Sequence, residues 1–168
     1  MMSDIKLTQT GVSVDIGIAE NSRKSVADAL TQLLADEHVL YVKTRNYHWN
    51  VTGMQFQALH ELFGQQYADI AVAGDDIAER IRSLGFYSPG SMQDFLKNSR
   101  LTESDHVNGD ASKMVSNLLR DHEAIIQILR HDLDEAMEVH KDAGTSDFMT
   151  GLMEAHEKMA WMLRAHLG

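Results

Sequence analysis

Residues 56–84 read FQALHELFGQQYADIAVAGDDIAERIRSL. Apolar positions recur every three or four residues through Phe56, Leu59, Phe63, Tyr67, Ile70, Gly74, Ile77, Ile81 and Leu84, the pattern of one buried helical face. Gly85 predicts the stop. A second stripe runs beside this seam, because at about 100° per residue His60, Gly64, Ala71, Asp75, Ala78, Glu79 and Arg82 share a face. It combines metal-binding side chains with small residues, Ala68 among them, that would let another helix approach closely. The plainer alternative is a solvated flank on which the charged residues have no task.

The same periodicity predicts three more long helices. The first starts near Ser22 and carries Val26, Leu30, Leu33, Leu34, Val39 or Leu40, Tyr41 and Thr44 down one side toward Tyr47 and His48, ending near Asn50 before Gly53. The third runs from about Ala111 to Val139 and buries Val115, Leu118, Leu119, Ile125, Ile126, Leu129, Leu133 and Met137. The fourth runs from about Ser146 to His166 and buries Met149, Leu152, Met153, Met159 and Leu163. Between the second and third, residues 86–109 contain Tyr87-Ser88-Pro89-Gly90 and Asn108-Gly109, a connection too long for a hairpin, with a short helix expected around Met92 to Lys97. These elements predict an all-α chain with one bundle domain over residues 22–168, and one long crossover is the arrangement of ferritin-like four-helix bundles.

The 168 residues are 43% apolar, enough for a core without staples, and no cysteine is present to form a disulfide or thiolate site. The start, Met1-Met2-Ser3-Asp4, has neither a basic nor an apolar leader region, and no apolar run approaches membrane-spanning length, so the expectation is a soluble intracellular protein. A net charge of −10 has the wrong sign for gripping nucleic acid through a general basic surface. A basic tail could still do so. Residues 1–21 are instead a charge-balanced tail: Lys6 and, just beyond, Arg23 and Lys24 stand against Asp4, Asp15 and Glu20.

Four residues carry the chemistry: His48, His60, Asp75 and Glu79. Asp75 and Glu79, four apart, are neighbours on one helix face, but fifteen residues at about 1.5 Å each put His60 roughly 22 Å from Asp75. One chain cannot bridge that gap. An antiparallel pairing of this helix with its symmetry mate, centred near Tyr67 and Ala68, would lay His60 of one copy beside Asp75 and Glu79 of the other. His48 follows Leu30 by five turns and shares the buried face of the first helix. Two imidazoles and two carboxylates suit iron, zinc or manganese, and spacing does not choose among them. A site inside one bundle would need Glu-x-x-His on two helices; Glu103-x-x-His106 is the lone match and falls in the crossover. His122 and His156 lie on apolar stripes as core residues, while His38, His131, His140 and His166 offer no constellation.

The string Asn46-Tyr47-His48-Trp49-Asn50-Val51, followed by Gly53, Phe56, Leu59-His60-Glu61, Phe63 and Asp75-x-Ile77-Ala78-Glu79-Arg80, resembles the Dps miniferritins, DNA-binding proteins from starved cells. The resemblance implies a hollow dodecamer that binds iron at its two-fold interfaces through His48 and His60 of one subunit and Asp75 and Glu79 of its mate. It implies oxidation of Fe2+ to Fe3+ by hydrogen peroxide, storage of ferric mineral, and a cytoplasmic, nucleoid-associated location. Trp49, beside His48, would absorb oxidising equivalents, with packing of Tyr47 and Trp49 alone as the alternative, and Trp161 would be a packing position. Asp142 and Asp147, bracketing Gly144, would line acidic three-fold pores, with capping by Asp147 as the alternative. Two features depart from the family. Gly64 stands where miniferritins place Asp or Glu, which predicts a weakened second iron position. The lysine-rich tail of members that bind DNA directly is missing, so DNA binding should be weak or absent. A DNA-covering nucleoid protein and a zinc-occupied cage with little ferroxidase activity are the competing readings.

Overall fold

The computed structural model describes residues 7–8, 11–103, 107 and 109–168. Helices α1 (Glu20–Asn50), α2 (Phe56–Ser83), α3 (Met92–Asn98), α4 (Ala111–Glu138) and α5 (Ala143–Arg164) follow a two-residue ladder in which β1 (Leu7–Thr8) pairs antiparallel with β2 (Gly11–Val12). Strands this short leave no alternation to read. His106 and Asn108, part of the crossover, and Asp4 and Lys6 of the tail lie outside the described residues.

α1 and α2 form one antiparallel hairpin and α4 and α5 another, with α3 laid across α1 on the crossover. The predicted seam of α2 buries Leu59, Phe63, Ile70, Ile77 and Ile81. Phe56 is exposed and Tyr67 half-buried, whereas Leu62 and Gln66 are buried. The buried arc shifts because α2 also faces α5, where the Gln66 amide donates to the Met159 carbonyl at 3.2 Å.

Helix ends follow polar anchors. α1 starts ahead of Ser22 because the Arg23 amide donates to the Ala19 carbonyl while its guanidinium reaches Leu84 O at 2.6 Å and Ile18 O at 3.2 Å. Gly85, at φ +96°, ends α2 as predicted, and a Cβ there would sit 2.8 Å from Val14 Cγ2. α5 starts at Ala143 rather than near Ser146, because the cap is Asp142, whose carboxylate accepts from Thr145 N at 3.0 Å and Thr145 Oγ1 at 2.6 Å.

Two buried charges on α1 hold the crossover. Asp36 accepts from Arg100 N (2.6 Å), Arg100 Nε (2.8 Å), Leu101 N (3.3 Å) and Ser99 Oγ (3.0 Å). Lys43 donates to Thr102 O at 2.6 Å and pairs with Asp121 of α4.

A polar chain also crosses the core. His156 Nε2 lies 2.8 Å from Glu37 Oε1, and His156 Nδ1 lies 2.9 Å from His122 Nδ1. With both rings neutral, His156 gives its Nε2–H to the carboxylate and accepts from His122 Nδ1–H, leaving His122 Nε2 a bare lone pair. Among the described residues, the buried side-chain atoms without a hydrogen-bond partner are Glu37 Oε2, Gln66 Oε1 and His122 Nε2. Burial, and then the adjacent His156, hold His122 well below the ordinary histidine value of 6.5. The folded chain therefore binds fewer protons here than the unfolded chain, so the stability from this site is present above pH 6.5 and lost as pH falls below it. In urea unfolding series from pH 7 to pH 5, His122→Gln should flatten the decline in stability by up to one proton per chain, about 1.4 kcal/mol per pH unit. An unchanged slope would place the acid lability elsewhere.

Candidate metal centre

His48 near the end of α1 and His60 in the first turns of α2 meet across the turn at residues 51–55. Each ring is tied to the other residue's backbone: His48 Nδ1 lies 2.7 Å from His60 O and His60 Nδ1 lies 2.8 Å from His48 O. A carbonyl can only accept, so each Nδ1 carries a proton, and in the neutral ring that leaves Nε2 as the nitrogen with the lone pair. The rings stack at 3.8 Å between centroids and 21° between planes. Tyr67 meets His48 edge-on at 5.2 Å, and Phe56 lies 5.2 Å from His60. The result is a pair of imidazoles with tautomer and orientation fixed by outer-shell contacts, as metal-binding histidines require.

Asp75 and Glu79 lie one turn apart on α2, both exposed. The single chain does not bring them to the histidine pair. Asp75 instead lines a cavity of about 360 Å³ with Ala71, Gly74, Ala78, Phe95 and His38. His38, given no partner by the sequence, stacks on Phe95 at 3.7 Å with its Nδ1 2.9 Å from Leu34 O. A signal existed: His38 and His48 are ten residues apart, as are Gly74 and Gly64 across the helix pair.

The remaining candidates separate by exposure. Trp49 is 63% exposed, and the Arg45 guanidinium lies 5.0 Å from the centre of its ring. Trp161, expected to pack, is 62% exposed in the single chain. His131, also assigned no constellation, gathers with Asp132 and Glu135 on the surface of α4, and the Asp132 hydrogen bond and charge raise its pKa. Asp142, expected on a pore wall from the family resemblance alone, is 2% exposed, and its carboxylate is engaged by Thr145 and by Arg80 Nη2 at 3.1 Å. The capping role considered for Asp147 thus belongs to Asp142, while Asp147 is exposed.

Four long helices joined by one long crossover make the ferritin-like arrangement, and residues 27–168 match the ferritin-like domain family. The chain is 45% identical over 154 residues to an uncharacterized low temperature-induced protein of Nostoc sp., covering 92% of this chain and 86% of that one. It is 37% identical over 144 residues to DNA protection during starvation protein 2 of Bacillus anthracis, covering 86% and 97%. The crystal structure of the Dps protein from Vibrio cholerae O1, described as a member of the ferritin-like diiron-carboxylate superfamily, superposes with a TM-score of 0.87 at 31% identity, covering 99% and 100%. The chain belongs to the Dps family. Its α-helical bundle is that family's fold.

The two loop aspartates are separable by unfolding. Asp142→Ala should cost about 2 kcal/mol, the upper range for a lost helix cap, whereas Asp147→Ala should change stability by less than about 0.5 kcal/mol. Equal effects in chemical denaturation would overturn the assignment of the cap.

Proposed function

We propose that this protein is a miniferritin, which binds Fe(II) where two copies meet, oxidises it with hydrogen peroxide and stores the ferric product inside a twelve-subunit shell. The observation that carries the reading is the His48–His60 pair, whose two Nδ1–H bonds to backbone carbonyls leave two nitrogen donors free. Asp75 and Glu79, exposed one turn apart on the same helix, supply hard oxygen donors to the pair of a second copy in an antiparallel α2 contact. The family to which the chain belongs supports iron over zinc as the ion handled.

Each Fe(II) gives up one electron, and two such electrons break the O–O bond of one peroxide. Two Fe(II), one hydrogen peroxide and two waters yield two ferric oxyhydroxide units and four protons. The histidines bind through Nε2, because their Nδ1 protons are committed to the backbone. The carboxylates neutralise charge as iron passes from +2 to +3. Trp49 lies one residue from His48 and serves as a local reductant for stray oxidising equivalents. Asp147, not Asp142, is the acid left open to guide cations between the two C-terminal helices.

Anaerobic ferrous titration of metal-free protein followed by peroxide tests this reading. Two Fe(II) oxidised per peroxide with little hydroxyl radical trapped is the expected result, and His60→Ala should abolish tight ferrous binding. Slow oxidation with abundant radical would sink it and favour a zinc-holding cage.

The charge of −10 opposes direct contact with phosphates. No helix among the described residues is long and apolar enough to cross a membrane. In a mobility-shift assay at physiological salt with chelator present, DNA should remain free. A tight complex there would favour the DNA-covering reading.

A further inference from the structure

The last turns of α4 carry metal-binding side chains that the two-copy centre does not use. His131 Nδ1 lies 3.0 Å from Asp132 Oδ1 and 3.9 Å from Glu135 Oε2, and one donor atom from each residue lies within 4.8 Å of the other two. Two ligands each about 2.1 Å from one ion, at angles of about 90–110°, stand roughly 3.0–3.4 Å apart. The first pair already has that spacing. The second reaches it by a shift of about half an ångström, which the half-exposed Glu135 side chain is free to make.

Side chains linked by charge meet this way on many helix surfaces, so spacing alone does not make a site. What sets this group apart is its support. The Asp132 side chain is only 15% exposed, and its oxygens are divided: Oδ2 faces the Arg100 guanidinium at 3.7 Å while Oδ1 faces His131. Arg100 is itself held by the buried Asp36 at 2.7 Å, so the crossover orients a carboxylate of α4 as outer-shell contacts orient a metal ligand. On the other side the turn after α4 folds back, with His140 N donating to Glu135 O at 3.2 Å. His140 Nε2 then stands 3.9 Å from Glu135 Oε1, the second oxygen of that carboxylate. A recess of about 50 Å³, walled in part by Asp132, Glu135, His140 and Ser25 of α1, has room for waters that complete a coordination sphere.

Charge agrees with this arrangement. The hydrogen bond and charge of Asp132 raise the His131 pKa, with Glu135 and Asp134 adding to the effect. A field that favours a proton on this ring also favours a metal cation, since the two compete for one lone pair. Magnesium and calcium prefer oxygen ligands alone, whereas an imidazole with two carboxylates suits a borderline transition ion. We propose that His131, Asp132 and Glu135 form a second divalent-metal site, on the opposite hairpin from His48 and His60, with His140 steadying Glu135. All of its donors come from one chain, so it does not depend on the two-copy centre. An ion there ties the end of α4 to the turn that precedes α5.

Cobalt(II) titration of the full-length, metal-free protein tests this, read by calorimetry, the cobalt absorption spectrum and thermal unfolding. The parent should bind one more cobalt per chain than His131→Ala does, and Glu135→Gln should weaken that ion at least about tenfold. Both variants should melt as the parent does in chelator, yet gain less from cobalt. Asp134→Asn removes a neighbouring charge but no donor, and should change the affinity by less than about threefold. His48→Ala should leave this ion in place. If His131→Ala binds as much cobalt as the parent, or Asp134→Asn loses the ion as Glu135→Gln does, the cluster is a diffuse acidic patch and the inference fails. Loss of the same ion in His48→Ala would also overturn it, by showing one metal centre rather than two.

Discussion

The register between α1 and α2 is the constraint on which the candidate centre depends. It is fixed at the hairpin end by two side chains that exchange backbone carbonyls, and farther along by Tyr41 against Tyr67 and His38 against Gly74. One residue of slip would turn each imidazole by about 100° around its helix and break both exchanges at once. Everything that makes the pair useful to a metal, its tautomers, its stacking and its open nitrogens, follows from that single alignment. The carboxylates stand outside it. They ride on the same helix, four to five turns from His60, so the geometry of the proposed two-copy centre would be set by how two such hairpins meet rather than by any contact within one.

Much of this was legible in the residues. The seam from Leu59 to Ile81 and the stop at Gly85 follow from periodicity and backbone freedom, which act locally and leave a trace in spacing. His48 and His60 were legible as candidates because each sits beside an apolar stripe, where an unpaired imidazole is costly. What escaped reading depends on which partner a polar group meets in space. Asp142 reads as loop acid until Arg80, from another helix, and Thr145 are seen to engage it. Glu37 and Gln66 fall outside the apolar positions that spacing picks out, yet both are buried where they meet α5. Gly64 was read as a missing ligand, and spacing does not reveal that a Cβ there would lie 3.3 Å from the His48 ring.

The likeness to the Vibrio cholerae Dps structure, with 31% identity over almost the full length of both chains, shows the same bundle built with most of its residues different. Here the interior holds several polar links. A buried ion pair, a buried aspartate with four donors and a Glu–His–His chain all lie between helices. Each is costly if left half-made, so helix placements that strand any member are penalised more than apolar packing alone would penalise them.

The crossover illustrates where such anchoring leads. Asp36 and Lys43 stand seven residues apart on α1, about 10 Å along its axis, and both grip the same short stretch from Ser99 to Thr102. That stretch is thereby fastened at two points instead of one, and Arg100 also faces Asp132 of α4 at 3.7 Å. A strap fixed in this way ties the two hairpins like the hinge plate of a closed clasp. Swinging one hairpin away from the other means stripping buried charges first, so the bundle should resist breathing as two halves and open, when it opens, by fraying from the helix ends.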